Sequence, residues 1–157
     1  MKTDRLRFTH VAPDAYRAML ALEGYVRSTG LDPKVLELAK IRASYLNGCA
    51  YCVDMHTKDA RAEGETEQRL YAVPVWRETP FFTPKERAAL AWTEAVTELG
   101  REGVPDAVYA EARAHFEELE LVNLTMAIVA INGWNRLMVA FEADVGSYQP
   151  RPRHGAG

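Results

Sequence analysis

The chain has 157 residues, with 19 Lys plus Arg against 22 Asp plus Glu, for a formal net charge of −3. That length suits one domain with its own core, and 48% hydrophobic with 26% charged residues excludes a disordered chain. The slight acidity excludes a nucleic-acid module, which would carry a basic face, and the only two cysteines, Cys49 and Cys52, sit too close together to staple a fold.

From the N-terminus, residues 1–12 read as an arm. No apolar run of signal-peptide length follows Met1, so a cytoplasmic location is expected. Arg5 to Val11 alternates weakly, but no other segment reads as a partner strand. Pro13 and Asp14 open a helix with Met19, Leu20, Leu22 and Val26 at helical spacing, closed by Gly30. Asp32 as N-cap and Pro33 at the first helical position start a second helix, which ends at Leu46-Asn47-Gly48. A third helix is predicted from about Cys49 to Gly64, and a short fourth from Thr66 to Val73, halted by Pro74.

Thr83-Pro84-Lys85-Glu86 is a capping box for a helix ending at Gly100. Pro105-Asp106 opens another helix through Phe116, and a last one covers Leu119 to about Ala143, with a bend expected at Gly133. The apolar run from Leu121 to Phe141 is broken by Asn123, Thr125, Asn132, Asn135 and Arg136, so it reads as a core helix and not a membrane span. The Pro/Gly/Arg-rich end reads as a frayed tail. The prediction is an all-α bundle of about seven helices over 13–145, with a flexible tail over 146–157.

Chemistry concentrates in one place. Cys49-Ala50-Tyr51-Cys52 follows an Asn-Gly break. A helix start favours anions through its dipole and free N–H groups, and the thiolate is the reactive form of cysteine. Three-residue spacing puts both sulfurs on one face, close enough to oxidise to each other. His56 lies four residues after Cys52 on the same stripe, where an imidazole can act as base or pair with a thiolate. Glu37, on the preceding helix, would orient or deprotonate His56 if the two helices pack as a hairpin.

Other readings of these residues are two merely buried cysteines, or a zinc site with Cys49, Cys52 and His56 as ligands and Glu37 or water as the fourth. A haem attachment site would need His where Val53 stands. A thioredoxin-like module would need strands around the motif.

Glu37, Cys49-x-x-Cys52 and His56 together resemble the E-x11-C-x-x-C-x3-H pattern of alkylhydroperoxidase AhpD-like proteins, in the carboxymuconolactone decarboxylase superfamily. The flanking stretches Ile41 to Thr57, Trp76 to Thr79, Phe82 to Leu90 and Ile131 to Leu137 are similar to one AhpD-like subgroup, so the resemblance spans roughly residues 13 to 145. It implies an all-helical homo-oligomer, a trimer or hexamer, that reduces organic hydroperoxides. By position, Cys52 would attack the peroxide, Cys49 would resolve the sulfenic acid to a disulfide, and Glu37 with His56 would relay protons.

The implied partners are a small-molecule hydroperoxide and an external reductant; the alternative readings are a thiol–disulfide oxidoreductase acting on another protein's disulfide, and a non-catalytic helical oligomer holding a metal at Cys49, Cys52 and His56. No cofactor or metal is called for beyond the dithiol, and no nucleic acid or membrane. One departure stands out: the best-known members carry a second His immediately before the second cysteine, and this chain has Tyr51.

Among other residues, Asp54 and Asp59 fall off the Cys/His stripe and read as surface. Tyr45 and Tyr51 flank the motif, as packing or as the wall of an alkyl pocket. Arg42 and Arg136 read as ion-paired rather than anion-binding, and Trp134, Asn135 and Arg136 as a structural or interface cluster.

Overall fold

Prolines and capping side chains decide where the helices begin. The computed structural model describes residues 5–150. The helices are α1 (Phe8–Val11), α2 (Pro13–Ser28), α3 (Pro33–Leu46), α4 (Ala50–Ala62), α5 (Glu67–Ala72), α6 (Pro84–Thr97), α7 (Asp106–His115) and α8 (Glu118–Ala140), with a 3-10 helix over Val73–Glu78. The Asp32 side chain accepts from the Lys34 N–H at the start of α3. Thr83 and Glu86 form the full reciprocal capping box of α6, so two free N–H groups find partners there. Gly30 and Gly48 take left-handed φ values of 70° and 64°, which let the chain turn directly after α2 and α3.

The all-α prediction holds, with three local differences. Residues 8–11 close a single helical turn, because with no strand to pair with, their N–H groups bond within the chain. Pro74 does not stop the chain's helical path. It sits at the start of the 3-10 helix, where a missing N–H costs nothing. Gly133 produces no break in α8, which runs unbroken from Glu118 to Ala140. Its missing side chain serves packing instead, since a Cβ there would lie 2.9 Å from Met19 Cε.

Helix α3 occupies the centre and packs against α4, α6 and α8. Its Val35 and Ala39 join Ala88, Trp92, Phe116, Leu124 and Ile128 in one apolar cluster. Its Leu38 and Ile41 join Leu70, Trp76, Phe82 and Leu90 in a second. Each fully buried aliphatic or aromatic side chain in these clusters contributes about 1.5–3 kcal/mol. The run from Leu121 to Ile131 supplies much of this core, and among the described residues no helix is long and apolar enough to cross a membrane. The tail over 151–157 and the first four residues lie outside the described residues. Residues 146–150 lie along α4: Lys58 Nζ donates to the Gly146 and Tyr148 carbonyls, and the Tyr148 hydroxyl donates to Asp59 at 2.7 Å.

Candidate active site

The turn between α3 and α4 delivers the two sulfurs. Cys49 is the N-cap of α4, and its Sγ accepts from the Cys52 N–H at 3.3 Å. Cys49 and Cys52 are paired as a disulfide with Cα atoms 5.4 Å apart, a normal span for that bond. Both are buried, in a cluster with Ala43 and Ile131 against which Tyr51, Trp134 and Met138 pack.

An asparagine clasp ties this turn to α8. Asn47 Nδ2 donates to the Asn132 and Asn135 side-chain oxygens, both at 2.9 Å. Asn135 donates in turn to Ser44 Oγ at 3.0 Å, and Asn132 to Thr97 at 3.0 Å. Asn132 and Asn135 of α8 thus find partners on the α3–α4 turn, α3 and α6, as buried amides must. Arg136 joins them through the Asn132 carbonyl and side-chain oxygens.

His56 follows one turn after Cys52 and is buried. Its Nδ1 lies 3.0 Å from Glu37 Oε2 on α3. An ionised carboxylate only accepts, so the tautomer that suits this contact donates from Nδ1 and leaves Nε2 to other partners. The α3–α4 hairpin therefore brings together all four residues singled out from the sequence: Glu37, Cys49, Cys52 and His56.

Beside them opens a cavity of about 660 Å³. Leu20, Leu36, Met55, Trp134 and Met138 form its apolar walls, and Glu23, Glu37, Lys40, His56 and Cys52 its reactive side. Among the described residues, Cys52 borders this space and Cys49 does not. Of the two sulfurs, only that of Cys52 belongs to a residue on the cavity wall. Tyr51 also lines the cavity, whereas Tyr45 is exposed and lies away from it. Among the described residues no group of three or more His, Cys, Asp and Glu side chains is arranged to hold a metal ion.

Two charged residues at this site went unmarked in the sequence. Lys40 is only 4% exposed, and its Nζ donates to Glu23 Oε1 at 2.7 Å. A lysine embedded in Leu38-Ala39-Lys40-Ile41, one turn after Glu37, was the available signal, because a charge inside an apolar run must find a partner. Glu23 carried no signal, since its pairing is a contact between helices. Burial works against its charge, but the Lys40 ammonium, with help from Arg27 and His56, holds its carboxyl below the ordinary carboxylate value.

Of the remaining candidates, Arg42 is consumed structurally, donating to Glu94 at 2.8 Å, as does Trp76 at 2.7 Å. Asp54 pairs with Lys58 at 2.8 Å on the surface of α4. Asp59 departs from the surface reading: it lines the cavity and holds Tyr148.

Fold and site define an all-helical protein with a vicinal dithiol and a buried His–Glu pair at one cavity. The model of the carboxymuconolactone decarboxylase family matches residues 13–95, and the chain belongs to that family, as an AhpD-like member. It is 41% identical over 138 residues to the uncharacterized protein YdfG of Bacillus subtilis, covering 88% of this chain and 94% of that one. A solved protein of unknown function from Agrobacterium tumefaciens, suggested to be the antioxidant defence protein AhpD, superposes with a TM-score of 0.89. It is 44% identical, over 93% of this chain and 100% of that one. The AhpD core of an uncharacterized peroxidase-related protein from Ralstonia eutropha shares the fold, with a TM-score of 0.78 at 22% identity, over 90% of this chain and 75% of that one.

Proposed function

We propose that the protein is a dithiol peroxidase that reduces organic hydroperoxides at Cys52. The observation that carries this reading is the pairing of Cys49 with Cys52 at a cavity that borders Cys52 and the His56–Glu37 pair.

In the reduced protein, His56 Nε2 takes the Cys52 proton, and Glu37 stabilises the imidazolium through Nδ1. Position in the first turn of α4 adds the helix dipole and free N–H groups to the stabilisation of the thiolate. The Cys52 thiolate attacks the outer peroxide oxygen. An S–O bond forms and the O–O bond breaks, and the departing alkoxide takes a proton from His56 to leave as the alcohol. The Cys49 thiol then attacks the Cys52 sulfenic acid, releasing water and forming the disulfide. Two electrons and two protons from an external dithiol reductant reopen it.

Apolar walls of the cavity suit a substrate with a hydrocarbon body. Tyr51 gives this site an aromatic wall, leaving His56 as its imidazole base. The protein acts as a homo-oligomer in this reading.

The test is direct. Reduced protein is mixed with tert-butyl hydroperoxide, and thiols and hydroperoxide are both counted. Loss of two thiols per hydroperoxide consumed is expected, and Cys52→Ser abolishes it. Persistence of both thiols, while a control thiol peroxidase reacts, refutes the reading.

A further inference from the structure

We propose that Lys40 is a positioning residue for the proton relay: a buried ammonium, hydrogen-bonded to Glu23 and 3.9 Å from Glu37, that keeps Glu37 aimed at His56. This rests on the proposed peroxidase site, but it concerns how that site is set and not what it consumes.

The two oxygens of Glu37 face different partners. Oε1 lies 3.9 Å from Lys40 Nζ, and Oε2 lies 3.0 Å from His56 Nδ1. A cation fixed near one oxygen of a carboxylate favours, by charge attraction without a hydrogen bond, the orientation that turns the other oxygen to His56. Lys40 is itself fixed, because its Nζ donates to Glu23 Oε1 at 2.7 Å and its side chain is 5% exposed. An ammonium buried that far is retained only with partners. Arg27 completes the line at 3.6 Å from Glu23.

Charges therefore alternate from the surface inward: Arg27, Glu23, Lys40, Glu37, His56. Helix α2 supplies the first pair, α3 the second and α4 the last, so the relay is anchored on three helices. Were Lys40 merely a tie between α2 and α3, the Glu23 contact alone would suffice. Its approach to the oxygen of Glu37 that does not serve His56 points to more.

Every titratable group around the cavity bears on the expected pH behaviour. Helix α2 contributes Tyr16, Glu23 and Arg27; α3 contributes Glu37 and Lys40 itself; α4 contributes Tyr51, Cys52, His56 and Asp59, with Glu63 at its C-terminal cap; the C-terminal segment contributes Tyr148. The α8 side chains there, Trp134 and Met138, carry no charge. Deleting one buried positive charge makes each neighbouring acid harder to ionise.

The experiment reads Cys52 directly, without any peroxide. In a Cys49→Ser background, the rate of Cys52 alkylation by iodoacetamide is followed against pH by mass spectrometry, with folding checked by circular dichroism. Lys40→Met is expected to move the profile about one unit to higher pH, some tenfold in rate below the midpoint. Lys40→Arg restores the parental midpoint. Glu23→Gln, which deletes a negative charge and leaves Lys40 to Glu37 alone, moves it to lower pH.

A parental midpoint in folded Lys40→Met overturns the proposal. If Lys40→Met does not fold, an unmoved midpoint in Glu23→Gln overturns it equally. A protein inert to hydroperoxide would sink the proposed function, while these midpoints would still decide the role of Lys40.

Discussion

Glu37→Gln isolates the charge of the proposed relay from its shape. The amide keeps the size of the carboxyl and can still accept from His56 Nδ1, now 3.0 Å away. What it lacks is the negative charge that, in the proposed mechanism, steadies His56 as it takes the Cys52 proton. A hydrogen bond to a charged group is worth about 1.5–3 kcal/mol and a neutral one about 0.5–1.5. The difference, about 1–1.5 kcal/mol, falls on the step in which the imidazolium forms, so the rate of Cys52 oxidation should drop about tenfold. His56 is buried and Glu37 partly so, with side chains 7% and 15% exposed, which limits how far water screens their interaction.

Stopped-flow mixing of reduced protein with tert-butyl hydroperoxide measures this. Trp134 packs beside the dithiol, and its fluorescence reports the single turnover. Glu37→Ala should be slower still, because it leaves the buried Nδ1–H without an acceptor. Unchanged rate constants for both variants between about pH 5.5 and 8.5, in proteins of parental melting temperature, would refute the relay.

Three further outcomes concern the frame that holds the site. Glu86 is buried, which opposes its charge, yet hydrogen bonds from Arg69 and from Thr83 hold its carboxyl below the ordinary value. Its stabilisation is therefore present above the ordinary carboxylate range and lost as pH falls through the lowered folded value. Glu86→Gln should cost about 2 kcal/mol near neutral pH, and the gap to wild type in thermal melts should close on acidification; a gap constant with pH would exclude the Arg69 pair as its source. Asn135→Ala should cost about 2–3 kcal/mol, because it strips partners from Asn47 and Ser44; urea titration showing parental stability would mean the clasp is dispensable. Gly133→Ala gains about 1 kcal/mol of helix propensity against displacement of the flexible end of Met19, so its melting temperature should equal or exceed the parent. A clear fall would mean that Met19 has no room to give.

The site's outline is legible along the chain because its parts are local. Cys49, Cys52 and His56 belong to one helix, and helical spacing alone puts them on one stripe. Glu37 is one hairpin away, and its alignment with His56 needs only that α3 and α4 pack side by side. Caps and prolines marked most helix starts for the same reason: capping is a bond between residues two or three apart. Where the reading missed, the deciding contact was remote. Gly133 looked like a bend until Met19 of α2 occupied its space. Asp59 looked like surface until residues 146–150 came to lie along α4. The asparagines of α8 had no visible partner until Asn47 arrived between them.

By itself, then, the order of residues determined an all-helical chain and singled out four groups that the fold brings to one candidate site. Short-range periodicity and capping are written into neighbouring positions. Only the tertiary structure decided which sulfur faces the cavity, and that Glu23 and Lys40 stand behind Glu37. Those facts depend on how α2, α3, α4 and α8 pack, and packing is a property of surfaces that meet across long stretches of chain.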